Sequence, residues 1–410
     1  MTVPTEEPQI HRAIDQPLGA LGGRLTARIE EIRIQNFRAL EDVRLSLQDL
    51  TFLVGRNGAG KSSILDAVEF MREAVTDSLP NALARRDGFE GVCRRTQNAG
   101  DSIAIAVVMR ADLVGRSVRM LYGFRLFAAR TGRDYEEVLR VAPTATLGFE
   151  RKGTKFLSTV VASPAVNKDR LVLPLVATEQ LWNIALSTLA QMRAYEISPP
   201  AIATPAPIRN STNLDRNGSN AGDVVGELVD RTPAYLELLQ SLQAVVPGLL
   251  GVKSTASLGR RIVEFAQSVG DAECLFNAGV MSQGTLRGLG MLLALHQQPQ
   301  PSLVLIDEVE DSIHPRALEA ILEAAEVFTD RFPVVMTTHS PEVLSAKQVT
   351  PDRLRVVQWD AGASHIYLLS DGTRESVDPV TSVGDLLRIN ALWPRDSPER
   401  VHGDILELHE

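Results

Sequence analysis

The strongest constraint on this chain is a short glycine-rich segment. Residues 55–62 read Gly-Arg-Asn-Gly-Ala-Gly-Lys-Ser and satisfy the pattern G-x-x-x-x-G-K-S. The apolar residues 52–54 before it predict a strand, and the apolar stripe over residues 64–71 after it predicts an amphipathic helix. In such a strand-to-helix loop, backbone N–H groups converge on phosphate oxygens and the helix N-terminus favours an anion. The context therefore predicts a phosphate loop, against the alternative of a glycine-rich turn that holds a lysine by chance.

The residue types in this phosphate loop (residues 55–62) indicate a nucleoside triphosphate and a metal ion. We expect Lys61 to neutralise the β- and γ-phosphates and the Ser62 hydroxyl to be a ligand of Mg²⁺. ATP and Mg²⁺ are therefore the expected cofactors. The residues expected to bind the nucleotide here are Asn57, Gly58, Ala59, Gly60, Lys61, Ser62 and Ser63.

A second signal lies where another apolar run ends. Residues 303–306 read Leu-Val-Leu-Ile, which is typical of a buried parallel strand, and Asp307 and Glu308 follow directly. We expect Asp307 to hold Mg²⁺, usually through water, and Glu308 to polarise the attacking water as general base. The alternative is a buried strand that simply ends in solvated acids. The phosphate loop upstream favours the nucleotide interpretation.

Three segments together with the phosphate loop resemble the ordered motifs of a known family. A signature segment, Met281-Ser282-Gln283-Gly284-Thr285, precedes a helical run. An acidic segment at residues 307–315 reads Asp-Glu-Val-Glu-Asp-Ser-Ile-His-Pro, and a switch segment at residues 337–341 reads Thr-Thr-His-Ser-Pro. This order is similar to that of ABC-type ATPases. It is most similar to the soluble RecF/SMC/OLD-like ATPases of the AAA_21 type, whose segments read D-E-P-E-N-x-L-H-P and T-T-H-S-P.

The resemblance implies an α/β fold, namely a P-loop ABC-ATPase head with an antiparallel β-lobe, an inserted helical region and a small C-terminal α+β extension. The alternating segments over residues 103–141 agree with an antiparallel meander. The expected organisation is an N-terminal tail (1–27), ATPase lobe I with Walker A (28–150), an inserted, mostly helical region (151–275), ATPase lobe II with the signature, Walker B and switch histidine (276–345), and a C-terminal extension (346–410).

The resemblance also implies a head-to-tail homodimer that holds two ATP molecules between its subunits. Ser282 and Gly284 would bind the γ-phosphate held by the partner's phosphate loop, and His339 would be the switch histidine on the same phosphate. Taken singly, Ser282 fits an ordinary helix cap equally well, and His339 fits a hydrogen-bonded histidine at a strand end.

The resemblance implies two further site residues, and each of them also has another interpretation. Residues 36–38 match a family segment near the nucleotide, although Arg38 fits a surface arginine equally well. Gln97 is the candidate for the glutamine that contacts Mg²⁺, but a solvated loop residue fits it better. Val309, Asp311 and residues 312–313 depart from the family pattern, which predicts an altered dimer-contacting loop and slow turnover.

Charge and composition limit which partners the chain can bind, nucleic acids and membranes in particular. The 42 Lys and Arg residues against 51 Asp and Glu residues give a net charge of −9, so nucleic-acid binding would need a local basic patch. The best candidate for such a patch is the cluster of Arg85, Arg86, Arg94 and Arg95. The alternative interpretation is that these arginines lie on an ordinary solvated surface. The N-terminus lacks a signal-peptide pattern, and no apolar stretch reaches about 18 residues. We expect a cytoplasmic protein without membrane contact.

The functional hypothesis is an ATPase, a P-loop ATP hydrolase, that dimerises around ATP and drives or gates a DNA repair or anti-phage defence process. A separately encoded effector protein is the expected partner, and direct DNA contact is left open. One alternative is an ATP-dependent switch for a partner protein without DNA contact. A transporter ATPase subunit is a weaker alternative, because the middle region is unlike a compact coupling domain. Neither a long coiled coil nor a Toprim nuclease domain is expected.

Overall fold

A mixed sheet of 13 strands runs through the part of the chain that the computed structural model describes. That part comprises residues 27–95, 101–113, 116–129, 135–142, 147–158, 160–161, 164, 170–178, 180–378 and 380–408. Residues 1–26, nearly all of the predicted N-terminal tail, and Gln97 lie outside these ranges. The mixed α/β architecture confirms the predicted fold class.

The strands of the described residues form two sheets. Their order in the large sheet is β8-β7-β6-β5-β4-β1-β2-β17-β16-β3-β15-β14-β9, and β10, β12, β11 and β13 form the small sheet. The bounds are β1 Arg28–Phe37, β2 Leu40–Ser46, β3 Leu50–Val54, β4 Ser102–Leu113, β5 Arg116–Phe127, β6 Glu136–Ala142, β7 Phe149–Lys152, β8 Lys155–Ser158, β9 Met192–Tyr195, β10 Ala206–Pro207, β11 Leu249–Ser257, β12 Arg260–Val269, β13 Ala272–Asn277, β14 Leu303–Ile306, β15 Val334–Thr338, β16 Leu354–Asp360 and β17 Ala363–Tyr367.

The helices pack mainly on the central part of the large sheet and around the small one. Short 3₁₀ turns add Ala278–Val280 and Pro351–Arg353. The helix bounds are α1 Lys61–Thr76, α2 Leu79–Ala84, α3 Phe89–Val92, α4 Leu173–Val176, α5 Gln180–Ala190, α6 Pro199–Ala203, α7 Ala221–Val229, α8 Thr232–Val245, α9 Gln283–His296, α10 Pro315–Phe328, α11 Pro341–Leu344, α12 Asp371–Glu375 and α13 Val383–Arg388.

The centre of the large sheet is parallel. Strand β3 pairs with β15 on one side and with β16 on the other, and β15 pairs in turn with β14. The residues of β3, β14 and β15 are all buried, as expected for strands covered on both faces. Because the carboxyl ends of parallel strands meet at one edge of a sheet, the segments that follow these three strands lie side by side.

The antiparallel part of the sheet packs against the first helix. Strands β4, β5, β6 and β7 pair in sequence order as antiparallel neighbours, as the alternating pattern predicts. Phe70 of α1 packs against Phe37 at a ring-centroid distance of 5.6 Å and against Phe124 at 6.0 Å. The aromatic contacts fix α1, and with it the start of that helix, against the lobe.

The region expected to be mostly helical, residues 151–275, differs from that expectation. It contains helices α4 to α8, but it also contains β9, which joins the large sheet beside β14, and the strands of the small sheet. Val263 and Phe265 of β12 are buried in alternation with more exposed neighbours, which is the period of a strand. Gly259 and Gly270 have positive φ and turn the chain between these strands. Alternation with glycine turns was the signal that the helical interpretation overlooked.

A buried carboxylate joins the antiparallel lobe to α4. Glu137 on β6 is 0% exposed and accepts hydrogen bonds from Tyr122 Oη (2.9 Å), Val172 N (2.6 Å) and Leu173 N (2.8 Å). Burial raises the pKa of Glu137 from its ordinary 4.5 to about 7, although the three hydrogen bonds lower it. The folded chain therefore keeps this proton over a pH range in which the unfolded chain has lost it.

This raised pKa predicts a pH-dependent stability. Between about pH 4.5 and 7 the folded state binds more protons than the unfolded state, so the free energy of unfolding falls as pH rises through that window. We expect wild type to lose up to about 3 kcal/mol relative to Glu137→Gln, which cannot titrate. Urea unfolding of both proteins at a series of pH values measures the difference. Glu136→Gln is the control, because it removes a neighbouring carboxylate of β6 that is paired with Arg125 of β5. Parallel pH profiles for wild type and Glu137→Gln would contradict the prediction.

Candidate functional site

The phosphate loop begins where β3 ends at Val54 and closes where α1 begins at Lys61. Gly58 and Gly60 have φ of 78° and 103°, in the left-handed region that favours glycine. A Cβ on Gly60 would also lie 2.1 Å from Ser364 Oγ on β17. Glycine is therefore required at this position both by the backbone conformation and by the close approach of a neighbouring strand.

Lys61 is buried at the start of α1, with 5% of its surface exposed. Its Nζ donates to Gly55 O (2.6 Å) and Arg56 O (3.2 Å), so the ammonium lies over the carbonyls of its own loop. Burial lowers the pKa of Lys61 below its ordinary value, although the carboxylates of Asp307 and two neighbouring glutamates raise it. An anion bound at this loop would favour the charged ammonium further.

Asp307 is held by hydroxyl groups from two different elements. Ser62 Oγ on α1 donates to Asp307 Oδ2 (2.9 Å), and Thr337 Oγ1 on β15 donates to Asp307 Oδ1. Thr337 Oγ1 also accepts the backbone N–H of Glu308 (2.9 Å). The structure thus brings together Ser62 and Asp307, the two described residues predicted as metal ligands. Thr337 belongs to the switch segment. Its hydrogen bonds to Asp307 and Glu308 depend on which strands are neighbours and were not predicted from the sequence.

The donor set fits the cofactor that the sequence implies. A serine hydroxyl and one carboxylate are ligands that Mg²⁺ takes together with water and substrate phosphates. Within the described ranges, no group of three or more His, Cys, Asp or Glu side chains could hold a metal ion. Ser62 and Asp307 would therefore supply the protein's share of the ligands, and a nucleotide and water would supply the rest.

Glu308 adopts a strained backbone conformation that its neighbours stabilise. Its φ is 48°, which is uncommon for a residue other than glycine. Its N–H binds Thr337, and its carbonyl accepts from Arg287 Nη2 (2.7 Å). Arg287 is buried on α9 and also donates to Asp307 O (3.1 Å) and Ile197 O (2.7 Å). Arg287 is a second contributor that the sequence did not reveal, because an arginine in a helical run predicts an exposed side chain.

The signature segment caps α9. Ser282 is the N-cap, and its exposed Oγ accepts from Thr285 N (3.1 Å) and lies 2.9 Å from Thr285 Oγ1. Both hydrogen bonds stay within its own helix. A Cβ on Gly284 would lie 2.8 Å from Ser312 O, so Gly284 lets the acidic segment approach the helix start.

His339 follows β15 and lines the same chamber as the phosphate loop. The chamber has a volume of ≈ 960 Å³, and His339 is 46% exposed at its side chain. Its backbone N–H donates to Glu310 Oε1 (2.8 Å). The remaining walls include Val356, Val357, Gln358, Trp359, Asp360, Leu387, Asn390, Leu392 and Trp393.

Arg38 lies against α1 rather than in the phosphate loop. Its guanidinium forms an ion pair with Asp66 (3.0 Å), one turn into the helix, while 40% of its side chain is exposed. Asp66 is buried and is shared with Arg86 (2.9 Å) and Arg216 (3.5 Å). Gln97 lies outside the described residues.

The arginine cluster proposed as a basic patch is not one surface. Arg86 and Arg94 are buried, and Arg94 is paired with Glu41 at 2.6 Å. Arg85 pairs with Asp77 at 2.7 Å, whereas Arg95 is exposed and donates to a backbone carbonyl. Two of the four arginines are thus buried in ion pairs and a third is paired at the surface, so the four residues do not form one phosphate-backbone surface.

The hydroxyl clamp on Asp307 generates a prediction about Thr337. In Thr337→Val the carboxylate loses one donor and the Glu308 N–H loses its acceptor, so we expect the affinity for Mg²⁺-ATP to fall about tenfold. Calorimetric titration with a non-hydrolysable ATP analogue measures it. Thr337→Ser keeps the hydroxyl and should bind as wild type. Thr338→Val is the matched control, because it removes a neighbouring hydroxyl whose hydrogen bond, among the described residues, is the one it accepts from Ser340 N. Normal affinity in Thr337→Val would show that the clamp does not support the site.

Comparison with known proteins gives two family matches. The family described as "AAA domain, putative AbiEii toxin, Type IV TA system" matches residues 226–345, and the family described as "AAA ATPase domain" matches residues 28–101. The OLD nuclease of Thermus scotoductus is 45% identical over 51 residues, which is 12% of this chain. The chain thus spans 10% of the length of that curated relative.

Solved structures share the fold at low sequence identity. A Smc head bound to the C-winged helix domain of ScpA superposes with a TM-score of 0.54 and 12% identity, covering 85% of this chain and 100% of that chain. The Smc head with an extended coiled coil, bound to the C-terminal domain of ScpA from Pyrococcus furiosus, gives 0.53 and 11%, covering 86% and 98%. The ordered motifs and the two family matches, together with a fold shared with Smc heads, support an ABC-type ATPase of the RecF/SMC/OLD-like kind.

Proposed function

We propose that this chain binds and hydrolyses ATP as one of two identical subunits that close around two nucleotides, and that this cycle gates a defence or repair process through a separate effector protein. One observation carries the proposal. The hydroxyl of Ser62 and the carboxylate of Asp307, far apart in sequence, meet beside the phosphate loop and the backbone of Glu308.

In the proposed reaction each of these residues has one step. Backbone N–H groups of the phosphate loop and the N-terminus of α1 bind the phosphates, and Lys61 Nζ exchanges its loop carbonyls for phosphate oxygens. Ser62 and Asp307 would hold Mg²⁺, which when bound neutralises phosphate charge. Glu308, which follows Asp307 directly and has a strained backbone, would accept the proton of the attacking water.

The proposed second subunit is supported by the position of Ser282. It caps a helix of 14 residues and is exposed, and both of its hydrogen bonds stay within that helix. A helix N-terminus of this kind suits an anion that arrives from outside the chain. In a two-fold arrangement, each α9 start would meet the phosphate loop of the other copy.

The process and the partner are inferred from the comparisons. A 45%-identical segment of an OLD nuclease and a family described by a toxin of a toxin–antitoxin system support defence or repair. The Smc heads that share this fold are described as bound to ScpA domains, which supports a separately encoded protein partner here. The buried Arg86 and Arg94 favour the version of the proposal without direct DNA contact. Among the described residues, no helix combines the length and apolar character needed to cross a membrane.

Blocking proton transfer should trap the closed dimer. In Glu308→Gln the side chain keeps its shape but cannot accept the proton of water, so both nucleotides stay bound and the population shifts to the closed form. We expect ATP-dependent growth in mass by light scattering and loss of hydrolysis. Hydrolysis at the native rate would move the general base to another residue, with Glu310 and Asp311 next to be tested. Loss of nucleotide binding would mean that Glu308 supports the metal or the fold.

Mixing two inactive variants tests whether the site is shared between subunits. Lys61→Ala lacks the phosphate-loop charge, and Ser282→Arg blocks the helix start that would act on the partner's nucleotide. A heterodimer of the two has one intact site, so an equal mixture should regain about a quarter of wild-type turnover under random exchange. Leu258→Arg places the same side chain at a fully exposed hairpin tip and should hydrolyse ATP normally. No recovery at any mixing ratio would contradict the shared site.

A further inference from the structure

Glu310 makes two contacts with a single residue, His339. Its Oε1 accepts the His339 backbone N–H at 2.8 Å, and His339 Nδ1 lies 3.0 Å from the same oxygen. The two residues come from neighbouring loops, since Glu310 follows β14 and His339 follows β15. Glu310 therefore joins the acidic segment to the switch segment.

Glu310 is largely buried at this contact. Its side chain is only 12% exposed, and Oε2 is buried without a hydrogen-bond partner among the described residues. The positive charges that act on it from other elements are those of Lys61 and Arg287. The contact with His339 is therefore the side-chain interaction of Glu310 that the described residues show.

The imidazole of His339 lies between two cavities, and its contact with Glu310 affects which ring nitrogen carries a hydrogen. His339 lines both the chamber of the phosphate loop and a smaller cleft of ≈ 360 Å³ that Glu310 also lines. A carboxylate oxygen 3.0 Å from Nδ1 repels a lone pair and attracts a hydrogen, so this contact favours the ring form with a hydrogen on Nδ1. The other ring nitrogen, Nε2, is then the one left to interact in the chamber.

We propose that Glu310 is a positioning residue, which anchors the backbone of His339 and holds its ring with Nδ1 protonated so that Nε2 serves the phosphate-loop chamber. The effect on turnover rests on the proposed ATPase function. The placement of the hydrogen does not, because it follows from the contact between the two side chains.

Imidazole nitrogen spectra test the placement directly. Long-range ¹H–¹⁵N spectra of the full chain, with His339 assigned by His339→Gln, report which ring nitrogen bears the hydrogen. We expect protonated Nδ1 in wild type and in Glu310→Gln, whose amide oxygen can still accept. In Glu310→Ala the signal should move towards the Nε2–H form. A wild-type Nε2–H form, or identical spectra for wild type and Glu310→Ala, would overturn the proposal. The measurement needs no ATP and is decisive even if hydrolysis is absent.

Steady-state kinetics test the consequence for turnover. Glu310→Ala should lower kcat about tenfold and leave KM for ATP within about twofold, whereas Glu310→Gln should retain most of the wild-type kcat. In a His339→Ala background, Glu310→Ala should cause no further loss. Glu323→Ala removes an exposed carboxylate paired with Lys347 and is the matched control. Equal loss in Glu310→Gln and Glu310→Ala that persists without His339 would make Glu310 an independent base and overturn the positioning role.

Discussion

The clamp of two hydroxyl groups on the Asp307 carboxylate is the interaction on which the rest of the site depends. It joins the start of α1, the end of β14 and the end of β15, because Ser62 and Thr337 each donate to a different carboxylate oxygen. A buried carboxylate is stable only when such donors or cations compensate for its lost hydration. The same contacts therefore stabilise the sheet edge and hold a potential metal ligand in place beside the phosphate loop.

Contacts at the same edge of the sheet explain why Glu308 keeps a strained backbone. A left-handed residue costs on the order of 1 kcal/mol and persists only where the surroundings determine it. Thr337 binds its N–H, and the buried Arg287 binds its carbonyl and that of Asp307. Since Arg287 belongs to α9, the helix whose start carries Ser282, any displacement of that start by a second subunit would act on the backbone of Glu308. The structure thus contains a direct connection between the surface proposed to serve the partner's nucleotide and the proposed base of the chain's own site.

Sequence patterns predicted the fold class and the segments of the site, but not the contacts between those segments. Local patterns are sufficient for a strand that runs into a phosphate loop, because glycine, lysine and the apolar periods are properties of adjacent residues. The roles of Thr337, Arg287 and Glu310 depend on which strands are neighbours in the sheet, and no local pattern contains that information. Most of the small sheet, at residues 249–277, lies in the region expected to be mostly helical, because the helical runs before it give the stronger local pattern. Arg86 and Arg94 resembled a basic patch because sequence clustering does not show that both arginines are buried and paired with acids, Arg86 with the buried Asp66 and Arg94 with Glu41.

The C-terminal strands are physically part of the phosphate-loop site, although neither family match reaches them. Strand β16 pairs with β3, and a Cβ on Gly55 would lie 2.3 Å from Val357 O of β16. On β17, Ser364 closes the other end of the loop against Gly60. Two of the loop glycines are therefore required by packing against β16 and β17 as well as by the space that a phosphate needs. Because these strands contact the loop and Trp359 and Trp393 line the same chamber, a change in the C-terminal segment would alter the surroundings of the phosphate loop without any contact to Asp307 or Glu308.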